Sequence, residues 1–153
     1  MKIKLFVMDV DGTLTDGKIY MGVNGEVMKV FNVKDGYAIA HLLPKMGILP
    51  VIITGRKSEI VSRRAAELGI TELHQGVSDK LGKLKEVAAS YHIVPGEIAY
   101  IGDDVNDLEC IEYCGATACP ADAVEEVKNK VGYICQCIGG EGAVEEYIKK
   151  VNF

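Results

Sequence analysis

Apolar residues run unbroken through Leu5-Phe6-Val7-Met8, Leu49-Pro50-Val51-Ile52-Ile53 and Ile98-Ala99-Tyr100-Ile101. Runs of this length without polar alternation predict strands covered on both faces. Each run stops at a polar group: Asp9-Val10-Asp11-Gly12-Thr13 after the first, Thr54-Gly55 after the second, Gly102-Asp103-Asp104 after the third. Between the first two, Lys18–Met21 and Glu26–Phe31 flank Gly22-Val23-Asn24-Gly25, which predicts a hairpin spanning about residues 17–33. A helix is expected from Asp35 to about Met46, with Pro44 weakening its last turn. Ser58 to Leu68 reads as a helix ended by Gly69, a short strand follows near Leu73, and Ser78-Asp79 caps a helix running to about Tyr91. Beyond the third strand come a helix over Asp107–Tyr113, a short strand at Ala116–Ala118, a helix around Val124–Val131, a strand at Tyr133-Ile134 and a closing helix from Ala143. Continuous apolar strands alternating with helices predict an α/β fold, a doubly wound parallel sheet in one domain over residues 1–153. Such sheets bind ligands at the carboxyl ends of their strands.

The candidate chemistry gathers at those ends. Asp9 and Asp11, two apart at the end of a strand, are expected on one face as like charges a few ångströms apart. At an effective dielectric near 20 that costs roughly 4 kcal/mol, so a cation neutralises the pair or the two carboxyls do different proton work. Thr54, Lys80, Asp103, Asp104 and Asp107 complete the set. Oxygen ligands from two strand ends, with no His or Cys, suit Mg²⁺ rather than zinc. Thr54-Gly55 offers donors to phosphate oxygens at a helix start, and Lys80 adds a mobile positive charge. This is equipment for phosphoryl transfer, in which catalysis is largely positioning and neutralisation of oxygen charge. Asp9, ending the rigid strand, is the better nucleophile; Asp11, at the turn, can protonate the leaving alkoxide and deprotonate the attacking water.

Bulk properties narrow the classes. The chain has 153 residues, a net charge of −5 and a pI near 5.2. Its 17 basic residues are scattered apart from Arg63-Arg64, which argues against nucleic acid as a partner. The first apolar run is too short for a signal or a membrane span, so a cytoplasmic protein without membrane contact is expected. Five cysteines (Cys110, Cys114, Cys119, Cys135, Cys137) are read as reduced, mostly buried thiols. Cys135 and Cys137 could share a strand face, but no second Cys or His pair has zinc spacing. His41, His74 and His92 also lack metal spacing.

Asp9-Val10-Asp11-Gly12-Thr13, Thr54-Gly55-Arg56, Lys80 and Gly102-Asp103-Asp104-Val105-Asn106-Asp107 resemble, in order, the four motifs of the haloacid-dehalogenase superfamily phosphatases. The resemblance implies a Rossmann-like fold with Asp9 as the phospho-accepting nucleophile and Asp11 as general acid and base. It implies Thr54 and Lys80 as phosphate ligands, with Gly55, Arg56, Arg64 and Asp35 also on the phosphate or substrate side. Mg²⁺ is implied on Asp9, Asp103 and the Asp11 carbonyl, supported by Asp104 and Asp107. Thr54 stands only 43 positions after Asp11, and Lys80 26 positions after Thr54, so no cap domain fits. A capless site is open to water unless another subunit closes it.

Among capless members, the hairpin, Phe31-Asn32-Val33-Lys34-Asp35-Gly36-Tyr37, Gln75-Gly76 and Gly139-Gly140-Glu141-Gly142-Ala143-Val144 resemble the 3-deoxy-D-manno-octulosonate 8-phosphate phosphatases. That family implies a homotetramer with hairpins paired around a central barrel. It also implies a phosphorylated 2-keto-3-deoxy sugar acid as substrate, recognised by Arg56 and Arg64. Eight residues apart, near two helical turns, these arginines are expected to aim the same way. Glu141 departs: octulosonate enzymes tend to carry Arg there. Nonulosonate 9-phosphate phosphatases carry Glu there but also Glu after Thr-Gly, where this chain has Arg56. The nine-carbon acid is therefore the alternative substrate. Two rivals belong to other classes. A receiver-type signalling domain needs its acceptor Asp where Thr54 stands. A non-catalytic oligomerisation module, like the phosphatase-like tails of some nonulosonate cytidylyltransferases, would lack an aspartate that this chain keeps.

Overall fold

A computed structural model describes residues 2–151. β1 (Leu5–Met8) enters the core and ends one residue before Asp9. The chain then forms a separate two-stranded antiparallel ribbon, β2 (Tyr20–Gly22) and β3 (Gly25–Met28), and returns through α1 (Val33–Tyr37), a π-helical turn (Ala38–Leu42) and α2 (Leu43–Lys45). β4 (Leu49–Ile53), α3 (Glu59–Glu67), β5 (Glu72–His74) and α4 (Lys80–Ser90) follow. The second half contains β6 (Ile98–Ile101), α5 (Leu108–Tyr113), β7 (Ala116–Cys119), α6 (Glu125–Lys128), β8 (Tyr133–Ile134) and α7 (Ala143–Val151).

The six long-range strands pair in parallel in the order β5-β4-β1-β6-β7-β8. The chain builds outward from β1 to one edge, then crosses back and builds to the other, so β1 flanked by β4 and β6 is the switch point. Alternation along these strands divides the core. Phe6, Met8, Ile52, Ala99 and Ile101 face one layer with residues of the π-helical turn, α2, α3 and α7; Leu5, Val7, Val51, Ile53, Ile98 and Tyr100 face the other with α4, α5 and α6. The expected doubly wound parallel sheet with a small hairpin and no cap domain is what the chain forms. Pro50 is tolerated inside β4 because pairing with β5 begins only at Val51, where Pro50's missing N–H has no strand to face.

The helix expected from Asp35 starts earlier. Asn32 caps it, its side chain accepting from the N–H groups of Lys34 (2.8 Å) and Asp35 (3.3 Å). It is also not one regular helix: the Leu43 N–H reaches Ala38 O, a five-residue loop that accommodates Pro44's missing donor.

Candidate active site

The ends of β1, β4 and β6 bring Asp9, Thr54 and Asp103 together, and α4 begins with Lys80 below them. Asp9 is 5% exposed, and its N–H donates to Ile101 O (3.2 Å), which locks it to the neighbouring strand. Lys80 follows Asp79, whose side chain caps α4 by accepting from the Gly82 N–H. Its ammonium is buried and donates to Asp9 Oδ1 at 3.0 Å and Asp107 Oδ1 at 2.8 Å. Burial alone would lower the Lys80 pKa, but Asp9 and Asp107 outweigh it and keep the group charged. Asp107 is saturated: Tyr100 OH also donates to Oδ1 (2.5 Å), and the N–H groups of Asp103 (3.0 Å) and Asp104 (3.2 Å) donate to Oδ2.

Three carboxylates and one ammonium in a buried space leave an excess of negative charge. Asp103, part-buried and held by Thr13 Oγ1 at 3.0 Å, is pushed up to about 8 by burial and by Asp9 and Asp107. Asp9 is raised to about 6 by burial and Asp107, with Lys80 opposing. Oxygens of Asp9, Asp103 and Asp107 lie within 4.8 Å of one another, a grouping suited to a metal ion. Because Asp107 already accepts four hydrogen bonds, Asp9 and Asp103 are the oxygens left for a cation, and Asp107 holds Lys80 and the β6 loop. Gly12 is required here: it has φ +90° and a Cβ would overlap the Asp103 carboxylate.

Asp11 corrects one expectation. β1 ends at Met8, so Asp11 sits on the following turn rather than on a shared strand face. Burial and then the Asp107 charge raise Asp9, with Lys80 opposing them. Asp11 instead pairs with the ribbon: Lys29 Nζ donates to its Oδ1 at 2.6 Å and to Glu26 Oε2 at 2.9 Å. Asp9, Asp11, Thr54, Gly55, Arg56, Asp104 and Asn106 line one cavity of about 170 Å³.

Arg64 and Asp35 are not brought to that cavity. Arg56 precedes α3, whose cap is Ser58, so helical spacing does not relate it to Arg64. Arg64 stacks over Phe31 (5.6 Å) and pairs with Glu67 (3.2 Å) in a separate groove. Asp35 is buried and accepts from the Glu145 N–H at 2.9 Å, tying down the start of α7; burial lifts its pKa to about 6 against that backbone bond. The glycine-rich loop before α7 lies directly on the turn that carries Asp11, with Gly140 N–H donating to Thr13 O (3.1 Å) and Gly139 against Gly12 O. Lys29, Glu26 and Tyr100 are not legible in the sequence as neighbours of this site, whereas Asn106 falls inside the fourth motif without a role of its own. Tyr100 is one more apolar position in a strand, and Lys29 and Glu26 are ordinary ribbon charges until the ribbon folds over the turn.

Residues 57–148 match the family model of the haloacid dehalogenase-like hydrolases, and the chain belongs to that family. It is 45% identical over 144 residues to the 3-deoxy-D-manno-octulosonate 8-phosphate phosphatase of Escherichia coli K12, covering 94% of this chain and 76% of the relative. The crystal structure of the phosphatase of that name from Yersinia pestis superposes with a TM-score of 0.94 at 43% identity, covering 97% of this chain and 80% of that one. The Moraxella catarrhalis phosphatase, crystallised with magnesium ion, phosphate ion and a KDO molecule, gives 0.93 at 41% identity over 97% and 85%.

Proposed function

We propose that the chain is a Mg²⁺-dependent phosphomonoesterase acting on 3-deoxy-D-manno-octulosonate 8-phosphate through an aspartyl-phosphate on Asp9. The observation that carries this is the buried Lys80 ammonium clamped between Asp107 and Asp9, the latter lining one cavity with Asp11, Thr54 and Arg56. The oxygen-only donor set and the excess negative charge fit the magnesium ion that the Moraxella relative contains; Asp9, Asp103 and the Asp11 carbonyl would hold it. Bound there, it supplies positive charge that lets a carboxylate approach a phosphate dianion.

The residues divide the work. An Asp9 oxygen attacks phosphorus, the bond from phosphorus to the sugar oxygen breaks, and Asp11 gives that oxygen its proton. Water then attacks the phosphoryl group, its proton passes to Asp11, and the bond from phosphorus to Asp9 breaks to release phosphate. Thr54, Gly55 and Lys80 hold phosphate oxygens throughout. Arg56, lining the cavity, carries the octulosonate mark, whereas Glu141 lies outside the lining; this favours the eight-carbon acid over the nine-carbon one.

No helix among the described residues is long and apolar enough to cross a membrane. All five cysteines are free, and burial raises Cys110 to about 12 and Cys119 to about 11, which fits inert thiols in a reducing, cytoplasmic setting. Met21, Val23, Val27, Met28 and Val30 expose apolar surface along the ribbon, which supports a homotetramer joined there. The single domain over residues 1–153, without nucleic acid as a partner, completes the reading.

Asp9→Asn tests it: turnover is expected to vanish while the chain still folds, as read by circular dichroism, and Mg²⁺-dependent activity above about 1% would overturn the nucleophile. Comparing octulosonate 8-phosphate, nonulosonate 9-phosphate and glucose 6-phosphate at matched Mg²⁺ tests the substrate. Equal kcat/KM across the three would overturn the sugar-acid assignment.

A further inference from the structure

Lys29 lies just past β3, yet its side chain is only 1% exposed, while its partners Asp11 and Glu26 retain 19% and 12%. Arg56 closes the other side, 3.9 Å from Asp11 Oδ2 and 3.8 Å from Glu26 Oε2. Two cations and two carboxylates therefore alternate in one cluster with no net charge, and Asp11 and Arg56 of that cluster line the cavity. A buried ammonium is costly unless paired, and a lone two-stranded ribbon is marginal in water. These pairs set where the ribbon sits over the catalytic turn.

They also set Asp11. It stands beyond the end of β1, so the sheet does not fix its side chain. With Oδ1 bound to Lys29 at 2.6 Å, Oδ2 is the oxygen left on the Arg56 side of the cavity. A general acid must present one oxygen to the leaving group in a defined pose. We propose that Lys29, countered by Glu26, is a positioning residue that holds Asp11 with Oδ2 turned to the substrate's leaving oxygen, so that the hairpin completes the proton-transfer half of the site. Glu26 keeps the pair from trapping Asp11 as a simple salt bridge, because Lys29 divides its donors between two carboxylates. The proposal rests on the reading of Asp11 as general acid and base.

The test uses the full chain with Mg²⁺ and two substrates, octulosonate 8-phosphate and 4-nitrophenyl phosphate. An aryl leaving group departs without protonation, so only the later attack of water needs Asp11. In Lys29→Met, kcat on the sugar phosphate is expected to fall about 100-fold with KM within about twofold. With 4-nitrophenyl phosphate, the first turnover should persist as a burst of nitrophenolate equal to the enzyme concentration, at a rate within about threefold of the parent, while steady turnover drops. Lys29→Arg should recover activity to within about tenfold of the parent. Glu26→Gln keeps the comparison available if Lys29→Met does not fold, and should give the same pattern more weakly. Loss of burst and turnover together in the folded variants, or loss of neither, overturns the positioning role. Asp11→Asn separates the two levels: if it shows the pattern and Lys29→Met does not, only the role of Lys29 falls. If Asp11→Asn keeps full sugar-phosphate turnover, the general-acid reading falls and the proposal with it.

Discussion

The two halves of the site are held by opposite kinds of structure. Asp9 and Asp103 follow the ends of β1 and β6, Lys80 opens α4 and Asp107 stands directly before α5, inside hydrogen bonds that leave Asp107 no spare acceptor. Asp11, by contrast, rides on a turn and is held by a ribbon that pairs with no strand of the main sheet. The half that carries the proposed nucleophile is built into the core, where positions are fixed by burial. The half that carries the proposed general acid is attached by ion pairs beside the cavity, where half-exposed Arg56 is weakened by solvent. Stability and chemistry should therefore be coupled in the first half and separable in the second.

The sharpest break comes from Lys80→Met. It leaves Asp9 and Asp107 buried without their cation, and breaking a buried ion pair on one side costs about 3–5 kcal/mol. Urea unfolding without Mg²⁺ should show a loss of that size, together with a fall in kcat of roughly 100- to 1,000-fold. Lys29→Met should show the chemical loss with a smaller thermodynamic one. If Lys80→Met unfolds within about 1 kcal/mol of the parent, the core half is not the strained element that its burial implies.

Acidity sharpens the same contrast. Asp103 at about 8 and Asp9 at about 6 both stand above the ordinary 3.8, so between about pH 4 and 8 the metal-free fold binds more protons than the unfolded chain. Its stability is fully present at the acid end and is lost as pH rises through those values. A divalent cation replaces the protons, so the rise in melting temperature on adding saturating Mg²⁺ should be small at pH 5.5 and largest near pH 8. A gain that is flat or falls with pH would show that these carboxylates do not receive the ion.

The strand-borne half of this arrangement was legible in the sequence because it depends on order along the chain: an apolar run fixes a strand, and its end fixes the next side chain. Asp9, Thr54 and Asp103 are readable for that reason, whereas Lys80, by itself an ordinary lysine at a helix start, is readable only through its match to the third motif. Asp11 was found but misplaced, since alternation on a strand was carried past Met8 into a turn. The expected common direction of Arg56 and Arg64 fails for a related reason: Arg56 lies before the cap at Ser58, so helical spacing does not reach it. Asp35 looked like a site acid, but its partner is the backbone of Glu145, 110 residues on, which no local pattern encodes. Lys29 and Glu26 were invisible because their meaning depends on how the ribbon folds back over the turn.

The mildest effect should come from the ribbon's outer surface. Val23 is fully exposed at the turn and Val27 is 63% exposed on β3, and neither touches the buried acid cluster. Val23→Asp with Val27→Asp should leave the core's unfolding free energy within about 1 kcal/mol of the parent, as exposed substitutions do. If the ribbon joins subunits, the mass in solution should fall from a tetramer to a smaller species, because like charges would then meet across the interface. Turnover should fall only as far as a neighbour completes the cavity mouth, and the Lys80-dependent stability should remain. An unchanged tetramer would move the contact elsewhere. A collapse of core stability would mean that the ribbon and the strand ends form one cooperative unit, and the division between the two halves would fail.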